Sequence, residues 1–347
     1  MLNAEVKLAA ALLVATCTFP SAFNIQHSAL PAVTLRSVTS LPAHIAGSFE
    51  DFAACHVTPE NDYLVFDRRA HSVYRVARDG SGGAKKIVQI GVNPGEILMP
   101  IAFASAPDGT FVVADSPGGQ DRIQIFLYLG ARVGGFLLPM RSVPRVLLGD
   151  IVLSGVGSID FTGKTLLVSQ PDASGALITE YSADGHVIRS FGDLRKTGHE
   201  ADRDLHLALN GGIPLAIPGG GYYFVFVAGV PTFRKYGSKG ELLFERHIEG
   251  REIDDHLKRM PGTWPRRKVG NGEFPVVPSG LRTAGVGPDG SLWVSLLVPK
   301  TYVYDASGDK TRVVEFRGAG VLAPNDLFFT RDGRIVASPG CYVFEGK

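Results

Sequence analysis

Pro100-Ile-Ala-Phe-Ala-Ser-Ala-Pro-Asp-Gly-Thr-Phe-Val-Val-Ala-Asp-Ser-Pro-Gly-Gly-Gln-Asp-Arg-Ile-Gln-Ile-Phe126 is the stretch that decides the fold. An apolar run opens it and meets a tight turn at Asp108-Gly109. A second apolar run, Phe111 to Ala114, ends in Asp115-Ser116, and a polar loop leads to the alternating run Arg122 to Phe126. Alternation with period two predicts strands with one face buried, and Asp-Gly between two such runs predicts a tight hairpin. The segment reads as consecutive strands of one antiparallel sheet.

The unit recurs along the chain. Its first turn falls at Glu60-Asn61, Asp108-Gly109, Thr162-Gly163, Gly219-Gly220, Asp289-Gly290 and Asp332-Gly333. A later turn recurs at Asp79-Gly80, Leu129-Gly130, Asp184-Gly185, Lys239-Gly240 and Ser307-Gly308. Alternating strands follow it at Lys86–Ile90, Val187–Phe191, Leu242–Arg246 and Arg312–Phe316. Repeats of 40 to 50 residues are blade-sized, so the larger spacings here mark inserted loops. The last unit lacks its final strand and would leave an open edge. The alternating segment Ala32 to Thr39 precedes the first unit and is predicted to fill that gap, closing the ring. The expected fold is all-β: a six-bladed β-propeller of four-stranded antiparallel blades over 23–347, its last blade completed by the N-terminal strand.

Composition agrees with many turns and few long helices, with 42 glycines and 22 prolines in 347 residues. A formal charge of +1 argues against a nucleic-acid partner. Residues 1–22 read as a signal peptide: Lys7, the apolar run Leu8 to Ala15, then the small pair Ser21-Ala22. That run is shorter than the roughly 20 apolar residues a transmembrane helix needs, so no membrane span is expected in the mature chain. Val14-Ala15-Thr16-Cys17 is similar to a lipobox, but Thr16 departs from the small residue usual before the cysteine. A secreted or periplasmic protein is therefore preferred to a lipoprotein anchored at Cys17. Cys55 and Cys341 remain, either as a disulfide in an oxidising compartment or as two buried thiols.

Asp108-Gly109, Val113-Ala-Asp-Ser116 and Arg122-Ile-Gln-Ile-Phe126 together resemble the NHL repeat of six-bladed propellers, and Val286 to Val294 repeats its first half. Val92-Asn-Pro-Gly-Glu96 is similar to a Gly-Pro-Gly-Glu loop of bacterial propellers with no assigned role. The resemblance implies fold more than function, because the architecture carries many unrelated activities.

In a meander, the blade-to-blade loops and the loops between strands two and three share one face. The long insertions at 139–155, 193–212 and 251–278 all join blades, so all fall on that face. Long loops on a rigid scaffold are where binding residues gather. Two insertions are helix-compatible, His199 to Ala208 and Arg251 to Met260. His199, Asp202 and His206 are compatible with a metal cluster, and the basic-aromatic run Trp264 to Lys268 with an anion or carbohydrate site, but a solvated surface is the commoner reading of both. The candidate ligand-binding face comprises Glu50, Asp51, Asp67, Arg69, Asp115, Arg122, Asn325 and Asp326, with Arg122 expected to pair with nearby carboxylates. Pro324-Asn325 resembles a segment of gluconolactonase-type propellers, whose calcium site uses Glu and Asn. That resemblance implies Ca²⁺ near Glu50 and Asn325, although Asp326 stands where a glycine is expected and further ligands are not identifiable. No Ser-His-Asp arrangement is readable from spacing.

The expected function is a monomeric, exported binding module. Its partner would be a small molecule, a carbohydrate or a protein held by the loop-rich face. A metal-dependent, lactonase-like hydrolase is the alternative.

Overall fold

The computed structural model describes residues 30–139, 146–148, 151–153, 158–171, 175–269 and 271–346. The signal-peptide reading, Cys17 and Ala22 lie outside the described residues.

Strand β1 spans Ala32–Thr39 and is followed by a one-turn helix, α1, Ala43–Ala46. Two four-stranded meanders come next. The first is β2 (Phe52–Val57), β3 (Tyr63–Asp67), β4 (Ser72–Val76) and β5 (Ala84–Val88). The second is β6 (Pro100–Ser105), β7 (Phe111–Asp115), β8 (Arg122–Phe126) and β9 (Arg132–Leu137). Short strands β10 (Val146–Leu148) and β11 (Ile151–Leu153) precede the third meander: β12 (Ile159–Phe161), β13 (Thr165–Ser169), β14 (Ala176–Ser182) and β15 (Val187–Asp193). Helix α2 (Arg203–Leu209) leads to the fourth: β16 (Gly212–Ala216), β17 (Tyr222–Phe226), β18 (Thr232–Tyr236) and β19 (Leu242–His247). Helix α3 (Arg251–Lys258) and strands β20 (Arg266–Val269) and β21 (Gly272–Val277) then precede β22 (Leu281–Val286), β23 (Leu292–Leu296), β24 (Thr301–Tyr304) and β25 (Lys310–Arg317). The chain ends with β26 (Val321–Leu322), β27 (Asp326–Phe329), β28 (Arg334–Ser338) and β29 (Tyr342–Glu345).

This is an all-β propeller of four-stranded antiparallel blades. Four meanders form separate sheets, while β22 to β29 and β1 share one nine-stranded sheet, in which the short β26 pairs with β25 off the main path. The reason is the divided pairing of β1. Residues 37 and 39 pair antiparallel with β29, whereas Ala32 to Arg36 pair in parallel with Val313 to Arg317 of β25. The predicted edge strand is present and bonds the last meander, but its first half also stitches the preceding one. The innermost strands neighbour one another around the axis: β2 lies by β27, β27 by β22, β22 by β16, β16 by β12, and β12 by β6. Contact between β2 and β6 is made by His56 and Ser105.

The second and third strands of the meanders are almost wholly buried, as in β3, β7 and β23. Blade-on-blade packing fills the spaces between them with aromatics, including Phe103, Phe111 and Phe126 between the first two meanders. The turn glycines adopt positive φ, which only glycine enters freely. At Gly109, φ is +83° and an added Cβ would sit 2.5 Å from Pro59 of the adjacent turn, so neighbouring turns abut.

Cys55 and Cys341 form a disulfide with Cα atoms 5.6 Å apart and 286 residues apart in sequence. Both are fully buried. The bond ties β2 to the turn between β28 and β29, closing in covalent form the same ring that β1 closes by hydrogen bonds. Cross-linking so long a loop removes much of the freedom of the unfolded chain, so Cys341→Ser should cost about 3–5 kcal/mol. Deleting residues 31–41 should lower the melting temperature of the whole protein in one transition. Calorimetry showing unchanged melting for the deletion would contradict the closing role of β1.

Candidate functional site

The three insertions do not stand as separate loops. Strand β10, from the insertion at 139–155, pairs in parallel with β21, from the insertion at 251–278, through Leu147–Val276 and Leu148–Val277. With β11 and β20 they make a small four-stranded sheet of their own. Helix α2, from the third insertion, packs on both β10 and β21. Leu205, Ala208 and Leu209 of that helix share a small core with Ala228 and Val277, with Trp264 against it. The result is a cap built from residues more than a hundred positions apart, set over the end of the propeller where the innermost strands begin.

Arg195 fastens the cap to the scaffold. Its guanidinium donates to the carbonyls of Val230 (2.9 Å), Leu209 (2.7 Å) and Ala228, and it lies 4.2 Å over the Phe226 ring. Burial pushes its pKa down to about 10. The helix α2 is shorter than expected from sequence. Asp202 is its N-cap, accepting from Leu205 N and pairing with Arg266, and His199 lies before the helix. His206 bonds the Thr197 hydroxyl at 2.7 Å. His199, Asp202 and His206 thus have separate local roles. Helix α3 ends at Lys258, with Ile253 buried beneath it.

The candidate residues divide into braces and exposed groups. Asp67 is buried, and its carboxylate accepts from the backbone N–H groups of Glu50 (2.8 Å), Asp51 (3.0 Å) and Ala70 (3.0 Å). It fixes the approach to β2. Asp115 does the same for the second meander. It accepts from Leu98 N at 2.9 Å and receives the Arg122 guanidinium on both oxygens, at 2.8 and 2.9 Å. Arg122 also reaches the carbonyls of Val92 and Glu96, each at 2.8 Å. Asp51 pairs with Arg68 at 2.8 Å. These bonds explain the Ala-Asp-Ser signature: a carboxylate ending the second strand holds down the loop that begins the first.

Glu50, Arg69 and Asn325 are exposed. Asn325 Oδ1 accepts from Arg282 Nη1 at 2.8 Å. A guanidinium on that oxygen repels a cation, so the pair Glu50 and Asn325 does not fit the calcium site that the gluconolactonase resemblance implies. Among the described residues no group of three or more His, Cys, Asp or Glu gathers as a metal site. Asp326 turns instead toward β2, accepting from Cys55 N at 3.3 Å and lying 3.4 Å from His56 Nε2.

Sequence reasoning passed over His56, Ser105, Asp160 and Arg282. His56 Nδ1 and the Ser105 hydroxyl are 2.6 Å apart. Asp160, on the channel wall, accepts from Ala216 N at 2.7 Å and Phe161 N at 3.0 Å. Part of its carboxyl is open to the channel, but protein surrounds it, and this crowding raises its pKa more than the two amides and the His56 charge lower it. A lone histidine in the apolar run Phe52 to Val57, and a lone aspartate between Ile159 and Phe161, were the available signals.

The sequence matches no family model and no curated protein. In structure the chain is similar to the WD40 β-propeller domain of Doa1, at 9% identity, 90% of this chain, 97% of that one and a TM-score of 0.49. It is similar to virginiamycin B lyase from Staphylococcus aureus, at 12% identity, 88% and 96% coverage and a TM-score of 0.48. A gluconolactonase from Xanthomonas campestris gives 12% identity, 91% and 98% coverage and a TM-score of 0.48. At this distance the similarity concerns the propeller fold and nothing finer.

Two outcomes follow. Asp115→Ala leaves the partly buried Arg122 without its carboxylate and should cost about 2–3 kcal/mol in denaturant unfolding, the mark of a brace rather than a ligand contact. Asp160 favours its protonated form in the folded chain, so its contribution is fully present below the ordinary carboxylate pKa and is lost as pH rises through the raised value. Asp160→Asn should therefore melt above the parent at neutral pH and together with it at about pH 3. A variant less stable than the parent at neutral pH would show the carboxylate to be favourable there.

Proposed function

We propose that this chain is an exported, six-bladed, NHL-like propeller that binds a small polar ligand at its capped face. The observation that carries the reading is the joining of three insertions into one cap on one end of the ring. Drift would spread long loops over both faces; here the opposite face keeps only tight turns. On this reading the nine-stranded sheet is two blades sharing β1, which with the four separate meanders makes six.

The chemistry at the capped end is polar and partly cationic. Arg282, exposed at the start of β22, holds Asn325; Glu50, before β2, and Arg69, in the loop between β3 and β4, are also exposed. Arg267 and Lys268 are exposed on β20 of the cap. A guanidinium beside an amide suits a ligand with a carboxylate or several hydroxyls, because the planar fork pairs two oxygens at once. A ligand of that class is preferred here to a nucleic acid, for which the charge of +1 gives no general attraction. Export is supported by the apolar N-terminal run and by the formed disulfide, which suits an oxidising compartment.

The test is a thermal-shift screen of the mature chain against mono- and dicarboxylates and neutral sugars. A carboxylate hit should lose affinity about tenfold or more in Arg282→Ala, and a sugar hit in Glu50→Ala, as expected for a lost charge-assisted bond. Asp289→Ala, in a turn on the opposite face, should bind as the parent does. Equal binding by both sets would remove the capped face as the site. N-terminal sequencing of native protein should find a chain beginning shortly after Ala22. Tightly held Ca²⁺ at about one equivalent in elemental analysis would favour the metal-dependent hydrolase instead.

A further inference from the structure

Three side chains from three innermost strands come together on the channel wall, one pair joined by a hydrogen bond and the other within ion-pair distance. Ser105 is the last residue of β6, next to the tight turn at Asp108-Gly109. Its hydroxyl lies 2.6 Å from His56 Nδ1. The opposite ring nitrogen, Nε2, lies 3.4 Å from Asp326 Oδ2 at the start of β27. We propose that Ser105, His56 and Asp326 are a nucleophile, general base and orienting carboxylate for acyl transfer from small carboxylic esters.

Geometry carries the assignment. A carboxylate beside Nε2 holds the proton there, and Nδ1 then presents its lone pair to the serine hydroxyl. This is the Ser-His-Asp logic with the two ring nitrogens exchanged, and the arrangement is recognised by roles and distances, not by order in the chain. The imidazole is held on both faces. It stacks on Phe328 at 4.5 Å with 21° between planes, and packs on Phe103 at 5.0 Å. Asp326 is itself fixed by the Cys55 N–H, one residue from His56, at 3.3 Å. Cys55 in turn is pinned by the disulfide to Cys341. His56 is buried, while Ser105 and Asp326 remain partly exposed on the channel wall. A rotamer locked by packing and second contacts is what a reacting group requires.

The step balances as follows. His56 Nδ1 takes the Ser105 proton as Oγ bonds to the acyl carbon, whose C=O becomes an oxyanion. The imidazolium is stabilised by the Asp326 carboxylate beside Nε2. Collapse breaks the ester C–O bond, and the Nδ1 proton leaves on the alkoxide as alcohol. Water, activated by the same nitrogen, then releases the acid from Ser105. No oxidant or metal enters.

The test is covalent labelling of the full mature chain by a small alkyl fluorophosphonate, located by peptide mass spectrometry, together with turnover of p-nitrophenyl acetate. Labelling should fall on Ser105. Ser105→Ala should abolish both signals with unchanged melting. Asp326→Asn, which keeps an acceptor for Cys55 N but frees the imidazole tautomer, should slow labelling at least about tenfold. His56→Gln should lose it. Absence of label at Ser105, or parental labelling rates in His56→Gln, overturns the proposal. Variants of the cap residues should leave labelling unchanged, so failure here leaves ligand binding at the capped face standing.

Discussion

Everything in this molecule depends on closing a ring whose two ends are the two ends of the chain. An open series of meanders would expose strand edges and leave the last aromatic layer unpacked. Closure is made twice. Strand β1 bonds β29 with its second half and β25 with its first. The disulfide between Cys55 and Cys341 then joins the first innermost strand to the last meander inside a buried core that also holds Tyr63, Val65 and Val336. Hydrogen bonds set the register and the covalent link removes the alternative of an opened chain. Because closure brings β2 beside β27, it also creates the contact of His56 with Asp326.

With the ring closed, the two ends of the channel become different environments. At one end, carboxylates such as Asp67 and Asp115 tie down the chain as it enters each innermost strand, and the loops beyond are free to grow. Three have grown: two bury apolar surface against each other, and the third joins them by strand pairing. At the other end the turns are short and abut, as Gly109 does against Pro59. The first end carries the exposed Arg282–Asn325 pair. Along the channel wall the His56 imidazole lies between the Ser105 hydroxyl and the Asp326 carboxylate.

Much of the scaffold was legible in the sequence because its determinants are local. Glycine after aspartate at 109, 290 and 333 adopts positive φ in the structure, and the alternating runs after the later turns are strands. The terminal strand was legible as well, since an edge without a partner and an alternating segment without a sheet imply each other. Its double pairing was not, because nothing in Ala32 to Thr39 marks where one partner gives way to the next. The cap illustrates the same limit. Placing three insertions on one face follows from topology, but the pairing of Leu147 with Val276 is a contact between distant segments with no spacing to reveal it. The partners of the buried carboxylates were legible only in part: Asp115 meets Arg122, close in sequence, whereas Asp67 accepts from the amides of Glu50 and Asp51, 17 and 16 positions away. His56 lies 49 positions from Ser105, and Asp326 lies 271 positions from Cys55, whose amide it accepts, so only closure assembles them.

The central claim is that the insertions act as one unit over one end of a closed ring. Hydrogen exchange followed by mass spectrometry measures this directly, since amides that open in the same event exchange together. Segments 146–148, 203–209 and 272–277 should show a shared rate, faster than β3 and β7 and slower than the turns at 108–109 and 289–290. Exchange of the three segments at unrelated rates, each like a free loop, would contradict the account.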